Sequence, residues 1–138
     1  MKNTFLLPII AMLLFSSYTV TAQRGYTEFE TEDNMKVMYR WQRATFFKKD
    51  SDAVLNLRVT NQNETAVNWT YIVGFYDKGL LVYQSEKNQL CFKPGQTRRG
   101  GLAGLRFSLE GMKQEDTEKD GFAWDFVTFD VEEVDSCN

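Results

Sequence analysis

Apolar and polar positions alternate along most of the chain. From Ala53 to Tyr83 the sequence reads AVLNLRVTNQNETAVNWTYIVGFYDKGLLVY. Ala53, Leu55, Leu57 and Val59 fall on one side of an extended chain, with Asn56, Arg58 and Thr60 on the other. After the polar loop at 61–65, Val67, Trp69, Tyr71, Val73 and Phe75 repeat the pattern. A period of two belongs to a strand with one buried face, so both runs predict antiparallel strands. Asp77-Lys78-Gly79 supplies a tight turn before a third run, Leu80 to Tyr83.

The flanking sequence extends this pattern. Met35 to Phe47 predicts a long strand with Met35, Val37, Tyr39 and Trp41 on one face, bent near Arg43–Ala44 where the alternation falters. Leu90-Cys91-Phe92 is a short strand, and Pro94-Gly95 fits the two central positions of a type II turn. A further strand is expected through Leu102–Phe107, with Gly100, Gly101 and Gly104 giving bends or tight contacts. Glu110 to Asp120 is charged and holds either one short helix or a loop. In the aromatic run Phe122 to Val131 the apolar face changes parity between Phe126 and Val127, which implies a bulge or burial on both faces. Gly74 interrupts the second central strand on the face opposite Trp69, and suggests a bulge or a close backbone approach. About seven strands with little helix predict an all-β antiparallel sandwich.

The first residues follow a different logic. Lys2 is the only charge before Arg24, the apolar core Phe5 to Phe15 is too short to span a bilayer, and Val20-Thr21-Ala22 suits signal peptidase. Residues 1–22 therefore read as a cleavable signal peptide, 23–34 as a flexible acidic lead-in with a short edge strand around Tyr26–Phe29, and 35–138 as a single domain. The expected destination is extracytoplasmic: periplasm, cell surface or medium. The mature chain then carries 15 basic and 19 acidic side chains, net −4. That balance gives no basic affinity for nucleic acid and no general attraction to anionic lipid. No later stretch is apolar enough for a membrane span, and a monomer is expected. Two cysteines in an exported chain, Cys91 and Cys137, favour a disulfide.

Val73-Gly74-Phe75-Tyr76-Asp77-Lys78-Gly79, with Val59-Thr60-Asn61 before it and Pro94-Gly95-Gln96 after it, resembles the FxLYD-type immunoglobulin-like domains of bacterial exported proteins. The resemblance covers residues 53–108. It departs from the pattern where Phe75 directly precedes Tyr76, in the Gly-rich stretch at 100–104 and in the aromatic C-terminal run. It implies an immunoglobulin-like sandwich in an extracytoplasmic location, and no catalytic residues.

Candidate chemistry is sparse. The chain has no histidine, which removes Ser-His-Asp and Cys-His catalysis and His-containing zinc sites. Gly100-Gly101 and Gly104 lack the spacing and the Lys-Ser/Thr ending of a phosphate loop. Carboxylates cluster in loops at 28–33, 115–120 and 132–135, where charge is ordinarily solvated. Trp41, Trp69 and Trp124 lie on the apolar faces of their strands and are assigned to the core rather than to a sugar platform. Arg98-Arg99, beside the Pro94-Gly95 turn, is the main basic concentration and the candidate contact for an acidic partner surface or an anionic glycan. The expected function is thus a non-catalytic, cofactor-free binding module of the cell envelope with a protein or glycan partner. A structural subunit of a surface assembly is the alternative, and a hydrolase working with carboxylates alone a weaker one. Exported protein should begin at Gln23 by N-terminal sequencing; material retaining Met1 in the membrane fraction would contradict the signal-peptide reading.

Overall fold

The computed structural model describes residues 25–29 and 32–138. The expected signal peptide, residues 1–22, and its expected cleavage point lie outside the described residues. Nine strands follow in order: β1 Thr27–Phe29, β2 Met35–Arg43, β3 Ala53–Asn61, β4 Ala66–Asp77, β5 Leu80–Gln84, β6 Asn88–Phe92, β7 Thr97–Arg99, β8 Arg106–Phe107 and β9 Phe122–Val134. All pairings are antiparallel, in two sheets packed as a sandwich. The first sheet runs β1-β2-β3, with β7 and β8 sharing the far side of β3. The second is built on β4, with β9 along one side and β5 and β6 dividing the other. The nine segments therefore occupy seven strand tracks, because two edge strands are each broken in two.

The alternation in β3 and β4 explains the core. Leu55, Leu57, Val59, Val67, Trp69, Tyr71, Val73 and Phe75 are all fully buried, facing one another between the sheets. Trp69 stacks on Tyr71 at 4.0 Å between ring centroids. The Tyr71 hydroxyl donates to the Gly104 carbonyl at 3.0 Å, and burial pushes its pKa up to about 12. Asn61 closes β3 as a buried polar hub. Its Nδ2 donates to the Thr65 and Lys93 carbonyls, and its Oδ1 accepts from the Asn63 backbone N–H. Its backbone bonds Gln96 and Gly95 across the Pro94 turn, so no polar atom of this side chain is left to desolvate unpaired.

Gly74 shows the close approach expected of it. A Cβ there would lie 2.8 Å from Val127 Cγ2 and 2.9 Å from Leu81 Cδ1, and these side chains roof the strand on its outer face. The parity change in β9 is a bulge: Ile72 pairs with Thr128 and Val73 with Phe126, leaving Val127 unpaired and turned outward. Lys78 and Gly79 both take positive φ, 49° and 82°, in the two-residue hairpin turn between β4 and β5.

Two expectations need correction. The strand expected through Leu102–Phe107 is only Arg106–Phe107; Gly101–Ala103 is a 3-10 turn with Leu102 in solvent. Gly100 and Gly104 take φ of 81° and 72°, which no extended run of L-residues accommodates. The strand from Met35 stops at Arg43, and 44–52 forms the hairpin connection to β3. The short edge strand expected around Tyr26–Phe29 is β1, which pairs with β2 from Thr27. Glu110 to Asp120 resolves into a 3-10 helix at Gln114–Glu118 between loops.

Cys91 and Cys137 are bonded, with Cα atoms 5.6 Å apart and a separation of 46 positions in sequence. Cys91 lies on β6 opposite Asn68, while the tail leaves β9 on the other flank of β4. The bond thus laces the C-terminus across the start of β4. Chain-entropy reasoning puts its contribution on the order of 4 kcal/mol. Cys91→Ser/Cys137→Ser should lower the free energy of unfolding by a comparable amount in urea titrations, and the wild type should show no reactive thiol when unfolded without reductant.

Candidate functional site

The register of the first sheet decides which charges share a surface. Inward positions alternate with outward ones, and cross-strand partners lie on the same face. Lys36 pairs with Thr60 and Thr60 with Thr97. Met38 pairs with Arg58 and Arg58 with Arg99, while Arg40 and Arg106 flank Asn56. Among the described residues, the outward strand positions of this sheet thus carry Lys36, Arg40, Arg58, Arg99 and Arg106, against Glu28.

Long cationic side chains lie over an apolar floor here. Met38, Val54 and Asn56 face outward yet are buried. Arg40 places its guanidinium 4.6 Å from the centre of the Tyr26 ring, a cation–π contact that fixes it against the sheet. Its Nε is buried without a hydrogen-bond partner among the described residues. Thr60 and Thr97 share a hydrogen bond of 2.7 Å at one end of the surface.

The outer face of the second sheet has the opposite sign. Asp125, Asp130 and Glu132 of β9 pair with Gly74, Thr70 and Asn68 and point outward with them. The outward positions of β4, β5 and β6 add no cation. The small net charge therefore hides two oppositely charged faces.

The arginine pair singled out from the sequence is split by this geometry. Arg99 faces outward and is exposed. Arg98 pairs with the inward Val59, reaches the edge of the sandwich, donates to the Cys91 carbonyl at 3.4 Å and hangs 5.9 Å over the Phe92 ring. Neighbours in a strand point to opposite faces, so the two do not form one patch. Lys36 and Arg40 share β2 and Arg106 lies on β8; only the pairing of both strands with β3 brings them onto one face with Arg58 and Arg99.

Hollows lie elsewhere. A cleft of about 370 Å³ opens between the sheets beside Phe29, Tyr39, Trp41, Trp124, Gln114 and Glu118. Trp124 and Trp41 line it, whereas Trp69 is fully buried. A second hollow of about 360 Å³ is bordered by Asp77, Glu110, Asp116 and Lys119. The Lys119 ammonium, 2.6 Å from Asp116, holds that carboxyl below its ordinary range. A general acid needs the opposite shift. No group of three or more acidic or thiol side chains suited to a metal occurs among the described residues.

No protein-family model matches the chain, and no curated protein matches it. Among solved structures, the trimeric lipoprotein SadB of Salmonella enterica is similar at 13% sequence identity and a TM-score of 0.44, over 80% of this chain and 57% of that one. The chain thus spans a little over half the length of that protein.

The two arginines should separate on substitution. Arg98→Ala removes a charged hydrogen bond at the sandwich edge and should lower stability by roughly 1 kcal/mol. Arg99→Ala should stay within about 0.5 kcal/mol of the wild type. Urea unfolding of the two variants decides it; equal effects would contradict the assignment.

Proposed function

We propose that this chain is an exported, non-catalytic binding module that holds an anionic partner against the outer face of the β1-β2-β3 sheet. The observation that carries this reading is the collection of Lys36, Arg40, Arg58, Arg99 and Arg106 on one surface, where Glu28 is the one acid among the described strand positions. Such a field steers an acidic protein surface or an anionic glycan into register and raises the rate of encounter. Arginine is suited to the task, because its planar fork meets carboxylate or sulfate in a bidentate way. The Cys91–Cys137 disulfide agrees with an oxidising compartment outside the cytoplasm. The lack of histidine and the lowered pKa of Asp116 favour binding over acid–base catalysis.

A second reading has its own observation. The acidic outer face formed by Asp125, Asp130 and Glu132 complements the basic one. Copies stacked basic face on acidic face would form the repeating contact of a structural subunit in a surface assembly. Light scattering at low and high salt separates the readings: a monomer at both fits the binding module, and salt-reversible oligomers fit the assembly.

Immobilised polyglutamate and a sulfated polysaccharide are suitable probes of the basic face. Arg99→Glu/Arg106→Glu should weaken retention about tenfold at low salt, taking roughly 0.5–1 kcal/mol for each exposed charge removed and somewhat more for its reversal. Asp125→Asn/Asp130→Asn should leave retention unchanged or slightly increased. Wild-type protein that binds neither probe, or charge-reversed protein that binds equally well, would overturn the proposal.

A further inference from the structure

The tip of the β2–β3 hairpin carries two phenylalanines that no packing accounts for. Phe46 is 79% exposed and Phe47 91%. Every other phenylalanine among the described residues is buried or half-buried. The two rings lie edge to face with centroids 5.5 Å apart, so they form one apolar wedge rather than two scattered exposures.

The wedge is held ready. Ala44 N–H donates to the Asp52 carbonyl at 2.8 Å and closes the loop at its base. The Ser51 hydroxyl accepts from the Thr45 N–H at 3.2 Å and lies 2.9 Å from the Lys48 carbonyl, so it staples the turn from inside. Asp52 is bound 2.9 Å from the Lys113 ammonium, which also bonds the Asp50 carbonyl and ties the loop to the segment before Gln114. A loop ordered before binding has little conformational entropy left to lose when its rings are buried.

Charge around the wedge selects the occupant. Arg43 ends β2, and Lys48 and Lys49 follow the rings directly. Asp52 is already paired with Lys113, whose hydrogen bond holds its carboxyl below the ordinary range. The β9 acids that dominate the opposite outer face belong to the other sheet. A narrow convex tip with apolar rings and flexible cationic stems needs no shaped pocket. It suits a fluid surface where rings sink to the acyl boundary and ammonium groups reach up to headgroups. Among the described residues no helix is long and apolar enough to cross a membrane.

We propose that Phe46 and Phe47 are a membrane-docking wedge that inserts into the interface of a bilayer bearing anionic phospholipid, with Arg43, Lys48 and Lys49 meeting the headgroups. This goes beyond the sheet-face reading, and the two are separable. Vesicles of phosphatidylglycerol and phosphatidylcholine, and of phosphatidylcholine alone, are the probes. Wild-type protein should co-sediment with the anionic vesicles and much less with neutral ones. Phe46→Ser/Phe47→Ser should reduce that binding at least tenfold. Lys48→Gln/Lys49→Gln should reduce it severalfold, and 0.5 M salt should do the same. Because all four side chains are exposed, unchanged thermal midpoints are expected and serve as the folding control. A Phe47→Trp variant should gain a blue-shifted emission component on adding anionic vesicles. The proposal is overturned if wild-type protein ignores the vesicles, or if the tip variants capture less of an apolar protein partner while no vesicle binding exists. It is also overturned if binding survives Phe46→Ser/Phe47→Ser and is lost instead with Arg99→Glu/Arg106→Glu. That last outcome would leave the sheet-face reading standing.

Discussion

The inward face of β4 is the constraint around which the structure is arranged. Val67, Trp69, Tyr71, Val73 and Phe75 are entirely removed from water, and their strand is paired along both edges. A strand of this length and bulk can satisfy its backbone only if neighbours lie on each side. β9 meets this need over the whole length of β4, from Ala66 to Asp77. β5 and β6 do so in two pieces on the other flank. The first sheet then has one task, to cover the aromatic face, and Leu55, Leu57 and Val59 do so from β3.

Fitting a wide aromatic layer between two twisted sheets requires local exceptions, and each has an identifiable cause. Gly74 exists where Val127 and Leu81 press on the outer side of β4. The bulge at Val127 resets the parity of β9 so that Phe126 and Phe129 both face the core despite their odd spacing. Asn61 gathers the end of β3, the loop to β4 and the Pro94 turn into one buried hydrogen-bonded junction. At that same end of the molecule the disulfide anchors the tail to β6. Cys91 lies two residues before Lys93, whose carbonyl belongs to the junction, so the two act on adjoining corners of one sandwich.

The binding role proposed for this scaffold uses outward positions, which the core leaves free to vary. Alternation commits half of each strand to packing and releases the other half. In the first sheet that half is basic, and in the second it is acidic along β9. The hairpin tip adds apolar surface where neither sheet has any use for it. Binding chemistry of this kind needs no tuned pKa and no histidine. It is consistent with a chain whose resolved carboxylate shifts, at Asp52 and Asp116, both favour the ionised state through lysine hydrogen bonds.

Period-two alternation and aromatic content were enough to determine the all-β sandwich, its two central strands and the inward direction of Trp69 and Tyr71. Those features depend on the burial of one strand face, which is a local property of sequence. The parity change at Val127 and the turn at Lys78-Gly79 were legible for the same reason. The pairing of Cys91 with Cys137 followed from cysteine count and compartment, and its geometry came only from the fold. The strand misplaced over Leu102–Phe107 shows where local pattern fails: weak alternation is overruled by two glycines in left-handed conformations. The proposed binding surface was not legible. Arg98 and Arg99 are adjacent in sequence, and the pleat sends them to opposite faces. Lys36, Arg40, Arg99 and Arg106 are scattered in sequence, and register places them on one face. Which strand lies beside which is decided by nonlocal packing on β3 and β4, and so the surface charge pattern exists only in the tertiary structure.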